Sequence, residues 1–388
     1  MLTLFRALST CRSRQVDSND INAKEMTCLC IEMFRGMARA SEMAEPSRIP
    51  AFMTPHLSNL SGMMKYYAAD LTICERLLQF FRDYTEQFVI MLDRDQCLTL
   101  FRASAELLKS YSTHHCNSKT RLITAKLTVE ANLEEEQKYG DILCAIQLLI
   151  HLGTKDFIDI CASSDPSSSS YPSVASTQVT DIIFFGLQQI LPLMTQGLLQ
   201  MPTLCSQYFS LVGFMMETYP EKIAVLPYEL FDALLESLLF GMCHHDAAVA
   251  KSSLQGIASI TREHSKSHVL TPHLSRNPDL LDHCSRRLLT DVVFQNKVWD
   301  RLESAGMALL PLAAVDVNRF ANVVSGLINQ IPDDDQKVRL QNAFSALVQP
   351  EVLQKVGSGG LEGRKNRIQF KKDFDVFCHT VHSFLILK

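Results

Sequence analysis

The residues best suited to chemistry are four groupings of cysteine and histidine: His114, His115 and Cys116; Cys243, His244 and His245; His283 and Cys284; and Cys378 with His379 and His382. Thiolate and neutral imidazole are preferred zinc ligands, but a structural zinc gathers four of them, usually in two spaced pairs. None of the groupings has C-x-x-C spacing or an obvious matching half, so no metal site is expected. Cys28 and Cys30 read as one core thiol and one flanking residue. A nucleotide-binding or hydrolytic reading fails as well. There is no G-x-x-x-x-G-K-[ST], G-x-G-x-x-G, G-x-S-x-G or H-E-x-x-H, and no β–α alternation to hold such a loop. Gly357-Ser358-Gly359-Gly360 lacks the strand before it and the Lys-Ser/Thr after it, and reads as a loop before the last helix. Neither catalysis nor a cofactor is expected. The one basic cluster is Arg364, Lys365, Arg367, Lys371 and Lys372. It is either a solvated loop and helix flank or a contact for an acidic partner.

The elements that carry these residues read as helices throughout. In the central stretch Ile183, Phe184, Leu187, Ile190, Leu191 and Met194 recur at helical spacing. The pattern restarts after Pro202 with Leu204, Tyr208, Leu211, Val212 and Met215, and after Pro227 with Leu230, Leu234, Leu238 and Leu239. Prolines 202, 220 and 227 flank these segments, where a missing N–H costs least. Upstream, helices are expected over 19–42, 56–67, 70–92 and 96–111, the first with Ile21, Met26, Leu29, Met33, Phe34 and Met37 on one face. Glu134, Glu135 and Glu136 behind Asn132 open a further helix that runs through Ile150, acidic side chains favouring the positive end of its dipole. Downstream, helices are expected near 246–264, 277–294, 299–314, 317–331, 335–348 and 367–387.

Helices that could each begin a repeat fall near residues 21, 71, 132, 179, 227 and 277, close to the period of about 40–47 residues of two-helix HEAT or armadillo units. The expected fold is all-α: an α-solenoid, or superhelix, of HEAT-like antiparallel helix pairs. The serine- and proline-rich segment 162–178 is an inter-repeat insertion or a linker between helical blocks 1–161 and 179–388.

Composition narrows function by exclusion. Only 15 Gly and 14 Pro among 388 residues argue against a loop-rich or β-rich chain. With 37 basic against 42 acidic residues the net charge is −5, so no excess positive field recommends nucleic acid or an anionic membrane, and a protein partner is the default. The longest apolar run, near Gly306 to Val315, is about half of the ~20 residues a membrane span requires. Twelve cysteines lie mostly on apolar helix faces, as in a reducing compartment. The first fifteen residues are basic and amphipathic, but no apolar core with a small-residue cleavage site follows them, and no targeting role is expected.

Specific wording in the chain then points further. ILPLMTQGLLQMPTLCSQYFSLV, YPEKI and LPYELFDALLESL resemble the C-terminal region of the exportin-4 family, within the importin-β superfamily of nuclear transport receptors. The likeness extends upstream through LLIHLGTKDFIDI and residues 19–115, and downstream to FKKDFDVFCHTVHSFL. The resemblance implies a HEAT superhelix that binds Ran-GTP and a folded protein cargo in the nucleus, passes the nuclear pore by contacting nucleoporins, and releases both ligands in the cytoplasm. Family cargoes include the hypusine-bearing translation factor and a Smad protein. Complete receptors of this kind are longer, so the chain reads as a C-terminal portion. Its N-terminal face, with Leu2, Leu4, Phe5 and Leu8 as candidate lining, is expected to self-associate. No cargo- or Ran-binding residue can be assigned by this route. The alternative that periodicity alone supports is a static HEAT-repeat scaffold in a cytosolic assembly.

Overall fold

The structure, a computed structural model, describes residues 21–40, 48–116, 139–162, 174–295, 299–348, 353 and 360–385. The expectations placed on residues 1–20, on Glu134 to Glu136 and on Gly357 to Gly359 lie outside them. Among the described residues there is no strand, and the chain groups into two compact units, Met1–Gln207 and Tyr208–Lys388. The fold is an all-α solenoid.

In the first unit the helices are α1 (Ile21–Arg39), α2 (Arg48–Met53), α3 (Leu57–Tyr66), α4 (Leu71–Phe88), α5 (Arg94–Tyr111), α6 (Gly140–Ala162) and α7 (Val174–Ile190). They stack in two rows: α4 packs on α1 and on α6, while α5 packs on α3 and on α7. Helices beginning near 21 and 71 were expected to open successive repeats, and they are neighbours in one row. The helix expected to open a repeat near 179 belongs instead to the other row, and it begins at Val174, so the last five residues assigned to the serine-rich loop are helical.

Local chemistry sets these boundaries. Asp70 caps α4 by accepting the Ile73 N–H, and Asp93 and Gln96 cap α5 reciprocally. Burial of Cys74, Leu77, Leu78, Phe81, Tyr84 and Phe88 gives α4 its core stripe, whereas Leu71 and Met91 are exposed at its two ends. The first helix departs from expectation. Phe34 is buried with Cys30, Ile31 and Ala38, but Ile21, Met26, Leu29 and Met33 are exposed, so α1 is apolar on two faces and only one packs on α4. The short helix α2 was not expected because Pro50 reads as a breaker. Pro50 occupies the first turn, where no N–H is required. The Thr54 hydroxyl just beyond it donates to the Pro50 carbonyl and accepts from Tyr84 Oη at 2.8 Å, which ties α2 to α4.

Charge also runs along the α1–α4–α6 row. Arg35 of α1 donates to the buried Asp83 carboxylate of α4 at 3.1 Å. Arg82 Nε meets the same carboxylate at 2.8 Å, and its guanidinium reaches Gln147 of α6. One buried acid thus has two cations, one from its own helix and one from α1.

Helix α8 (Pro202–Thr218) spans the division, and the second unit continues with α9 (Pro220–Ala224), α10 (Tyr228–Gly241), α11 (Ala247–Ser267), α12 (Thr271–Arg276), α13 (Leu280–Arg287), α14 (Trp299–Val315), α15 (Val317–Asn329), α16 (Asp334–Leu347) and α17 (Gly360–Phe384). Here α14 packs on α11 and α17, α13 packs on α15, α10 lies on α11, and α16 lies on α17. In α10 the core residues are Phe231, Leu234, Leu238 and Leu239 rather than Leu230. Asp246, Asp316 and Asp333 cap α11, α15 and α16. His268 ends α11 in the left-handed region at φ 54°, where its own N–H closes onto the His264 carbonyl. No single helix among the described residues is long and apolar enough to cross a membrane. The pair α14 and α15 reaches that length only together, bent by 119°.

Candidate functional site: the outer face of the C-terminal helix

The sequence groupings of cysteine and histidine do not come together. Among the described residues no three His, Cys, Asp or Glu side chains are arranged to hold a metal ion. His283 and Cys284 are adjacent on α13, and because successive helical residues project about 100° apart, His283 is exposed while Cys284 is buried. Burial pushes the Cys284 thiol up to about 12 and does the same for Cys378 on α17. Both are core groups rather than thiolate ligands. His382 donates from Nε2 to the Val293 carbonyl at 2.7 Å and so fastens the end of α17. His244 Nδ1 accepts the Asp246 N–H at 3.1 Å, and burial together with His245 holds its pKa below the ordinary value. It therefore helps turn the chain from α10 into α11. His115 is buried against the Tyr111 ring, whose hydroxyl donates to Asp141 at 2.8 Å. Cys30 is buried and Cys28 half-buried.

A cavity of about 250 Å³ lies among α11, α13, α14 and α15. Its polar lining is His264, Asp282, Ser285, Asp316 and Arg319. These groups are committed to one another or to backbone: Arg319 bridges Asp282 and Asp279 at 2.8 Å each, Ser285 donates to the Leu281 carbonyl, Asp316 caps α15, and His264 Nδ1 accepts the Leu270 N–H. No nucleophile faces a base there.

The basic cluster is the sequence candidate that the fold does assemble. It sits within α17, which begins at Gly360, and not on the loop expected to precede a helix starting at 367. Phe370, Phe374, Phe377, Cys378 and Val381 bury one stripe of this helix. Phe377 meets Phe344 of α16 with ring centroids 4.8 Å apart, and Phe374 lies over Gly306 of α14. With that stripe fixed, Arg364, Lys365, Lys371 and Lys372 are exposed on the outer side and Arg367 is half-exposed. Lys371 pairs with Glu303 of α14 at 2.7 Å, an exposed pair that solvent screens. Arg262 of α11 is half-buried close by. Desolvation lowers its pKa, the positive charge of Arg367 lowers it further, and Glu217 opposes them. Sequence reading found the cluster on α17 but missed Arg262, which lies a hundred residues away and carries no local signal.

A charged outer helix face of this kind is suited to recognition. The family identified from the whole sequence agrees with that character: the family model described as Exportin-4 matches residues 4–386. The chain therefore belongs to the exportin-4 family of karyopherin-type nuclear transport receptors.

Proposed function

We propose that the chain acts within a nuclear export receptor, binding a folded protein cargo together with Ran-GTP and shuttling between nucleus and cytoplasm. The observation that carries this reading is the family match across residues 4–386. The stacked rows support it, because elements that touch only their neighbours present long continuous surfaces suited to folded proteins. In such a receptor each ligand favours the same arrangement of repeats, so affinity for one depends on occupancy by the other.

The test is a titration of labelled cargo in the presence of Ran-GTP or Ran-GDP. It uses residues 1–388 alone and the same residues joined behind the N-terminal repeats of an exportin-4 receptor. The joined protein is expected to bind cargo at least tenfold more tightly with Ran-GTP, about 1.4 kcal/mol of coupling. Residues 1–388 alone are expected to show weak cargo contact with little nucleotide dependence. If neither protein distinguishes the two nucleotide states, the chain is a static scaffold and the export reading fails.

A further inference from the structure

We propose that the outer face of α17 is a docking surface for an acidic segment of a partner protein, held by Arg364, Lys365, Arg367 and Lys372 around the exposed side chain of Ile368. Three observations carry this beyond the presence of charge. First, the cations stand on a helix whose orientation is fixed by the buried Phe370, Phe374 and Phe377 and by the His382 hydrogen bond to Val293. A partner therefore meets a preformed array and does not have to order it.

Second, the neighbouring carboxylates are not ion-paired with the array. Glu303 is taken by Lys371, and Asp373 accepts from Gln369. Asp375 acts on Lys371, and Glu217 acts on Arg262. Among the described residues no carboxylate pairs with Arg364, Lys365, Arg367 or Lys372. The positive charge of Arg367 bears on the half-buried Arg262 of α11, a repulsion that a bound carboxylate would relieve.

Third, the face is not uniformly polar. Ile368 is 51% exposed and Val376 65% exposed, and an apolar centre within a charged rim is the anatomy of a protein interface. The overall charge of −5 sets this patch against an acid-leaning chain, so its positive potential is local. That favours a short acidic protein segment over nucleic acid or an anionic bilayer, which a broad positive field would serve better.

The experiment uses the full chain and two fluorescein-labelled probes read by anisotropy: a poly-glutamate peptide and a glutamate peptide with leucines interspersed. Both are expected to bind, and both to weaken as salt rises. The variant Arg364→Glu, Lys365→Glu, Arg367→Glu, Lys372→Glu should weaken both by about tenfold or more. Ile368→Ala should weaken only the leucine-bearing peptide. Reversal of Arg94 and Arg102, exposed on α5, should change neither. Circular dichroism checks folding, and if the reversed variant is unfolded, the corresponding four-Gln variant replaces it. The proposal is overturned if reversal or neutralisation changes binding by less than about twofold, or if the α5 control weakens it equally. Tighter binding of single-stranded DNA or phosphatidylserine vesicles than of either peptide also overturns it. Neither Ran nor cargo enters this titration, so the export reading and this one fail separately.

Discussion

Replacing Asp83 with Ala should open the joint between α1 and α4. Only 5% of the Asp83 side chain is accessible, against 13% for Arg35 and 23% for Arg82. Removing the acid leaves two guanidinium groups facing each other in poorly solvated surroundings. Breaking a buried pair this way costs about 3–5 kcal/mol. Arg35 keeps Glu32 at 3.0 Å and Arg82 keeps some water, which places the loss near the lower end, about 3 kcal/mol. At about 1.4 kcal/mol per tenfold, that is roughly a hundredfold in the local opening equilibrium. Native-state hydrogen exchange read by mass spectrometry on peptides from α1 and α4 should show exchange faster by that factor, with α5 and α7 in the other row affected less. A variant that removes all three charges, Asp83→Leu with Arg35→Met and Arg82→Met, should recover most of the protection, because nothing charged is left unpaired. Acceleration of less than about threefold in Asp83→Ala would refute this reasoning and reduce the network to a surface pairing.

Leu234→Asp should lower stability by several kcal/mol, since Leu234 is buried in α10 and an unpaired carboxylate would enter a desolvated helix interface; an unchanged melting temperature would mean that this face is open. His264 has its pKa held below 6.5 by burial and by His268 while its Nδ1 accepts the Leu270 N–H. The unfolded chain then takes up this proton first, so the contribution is complete above about 6.5 and is lost as pH falls through the lower folded value. His264→Asn keeps an acceptor and removes the titration, and its stability should fall less steeply than wild type between pH 7 and about 5 in urea melts. With the chain folded, a maleimide reagent should label Cys243 and Cys28 before Cys74, Cys284 and Cys378, whose thiols are buried and pushed up to about 12. Peptide mapping showing the reverse order would mean that the packing is wrong.

Where an element buries one stripe and shows water the other, its type and extent were readable, as for α4 and α5, although α5 begins at Arg94 behind its Asp93 cap and not at 96 as expected. The errors have physical causes. Ile21, Met26, Leu29 and Met33 were expected to be core because α1 carries apolar side chains on two sides, and spacing alone does not say which side has a neighbour. Pro50 concealed α2, although proline in a first turn breaks nothing. The glycines before Leu361 suggested a loop, and so the basic cluster was split between loop and helix when all of it stands on α17. For the site, local sequence named the cations of α17 but not Arg262, since the influence of Arg367 on it depends on how α14 places α11 and α17. The Cys–His groupings, from which no metal site was expected, are neighbours in sequence that diverge around helices, as His283 and Cys284 do on α13.

Gly306 makes the spacing of α14 and α17 a matter of a single hydrogen atom. A Cβ there would stand 2.6 Å from the Phe374 ring, about 1 Å inside ordinary carbon–carbon contact. The ring cannot easily swing aside, because it stacks between Phe370 and Phe377 with centroids 6.1 and 6.0 Å away. The helices would have to part instead. A wedge of about 1 Å acting about 9 Å along the axis from a fixed contact, roughly six residues at 1.5 Å each, tilts one helix against the other by about 6°. Helix α17 also packs on α16, so the tilt that survives is what that second contact does not oppose. Carried along a lever arm of ~30 Å, the length of a twenty-residue helix, the tilt moves the far end by about 3 Å. That is enough to separate a hydrogen-bonding group from its partner, so one methyl group at this hinge point could misdirect a contact surface it never touches.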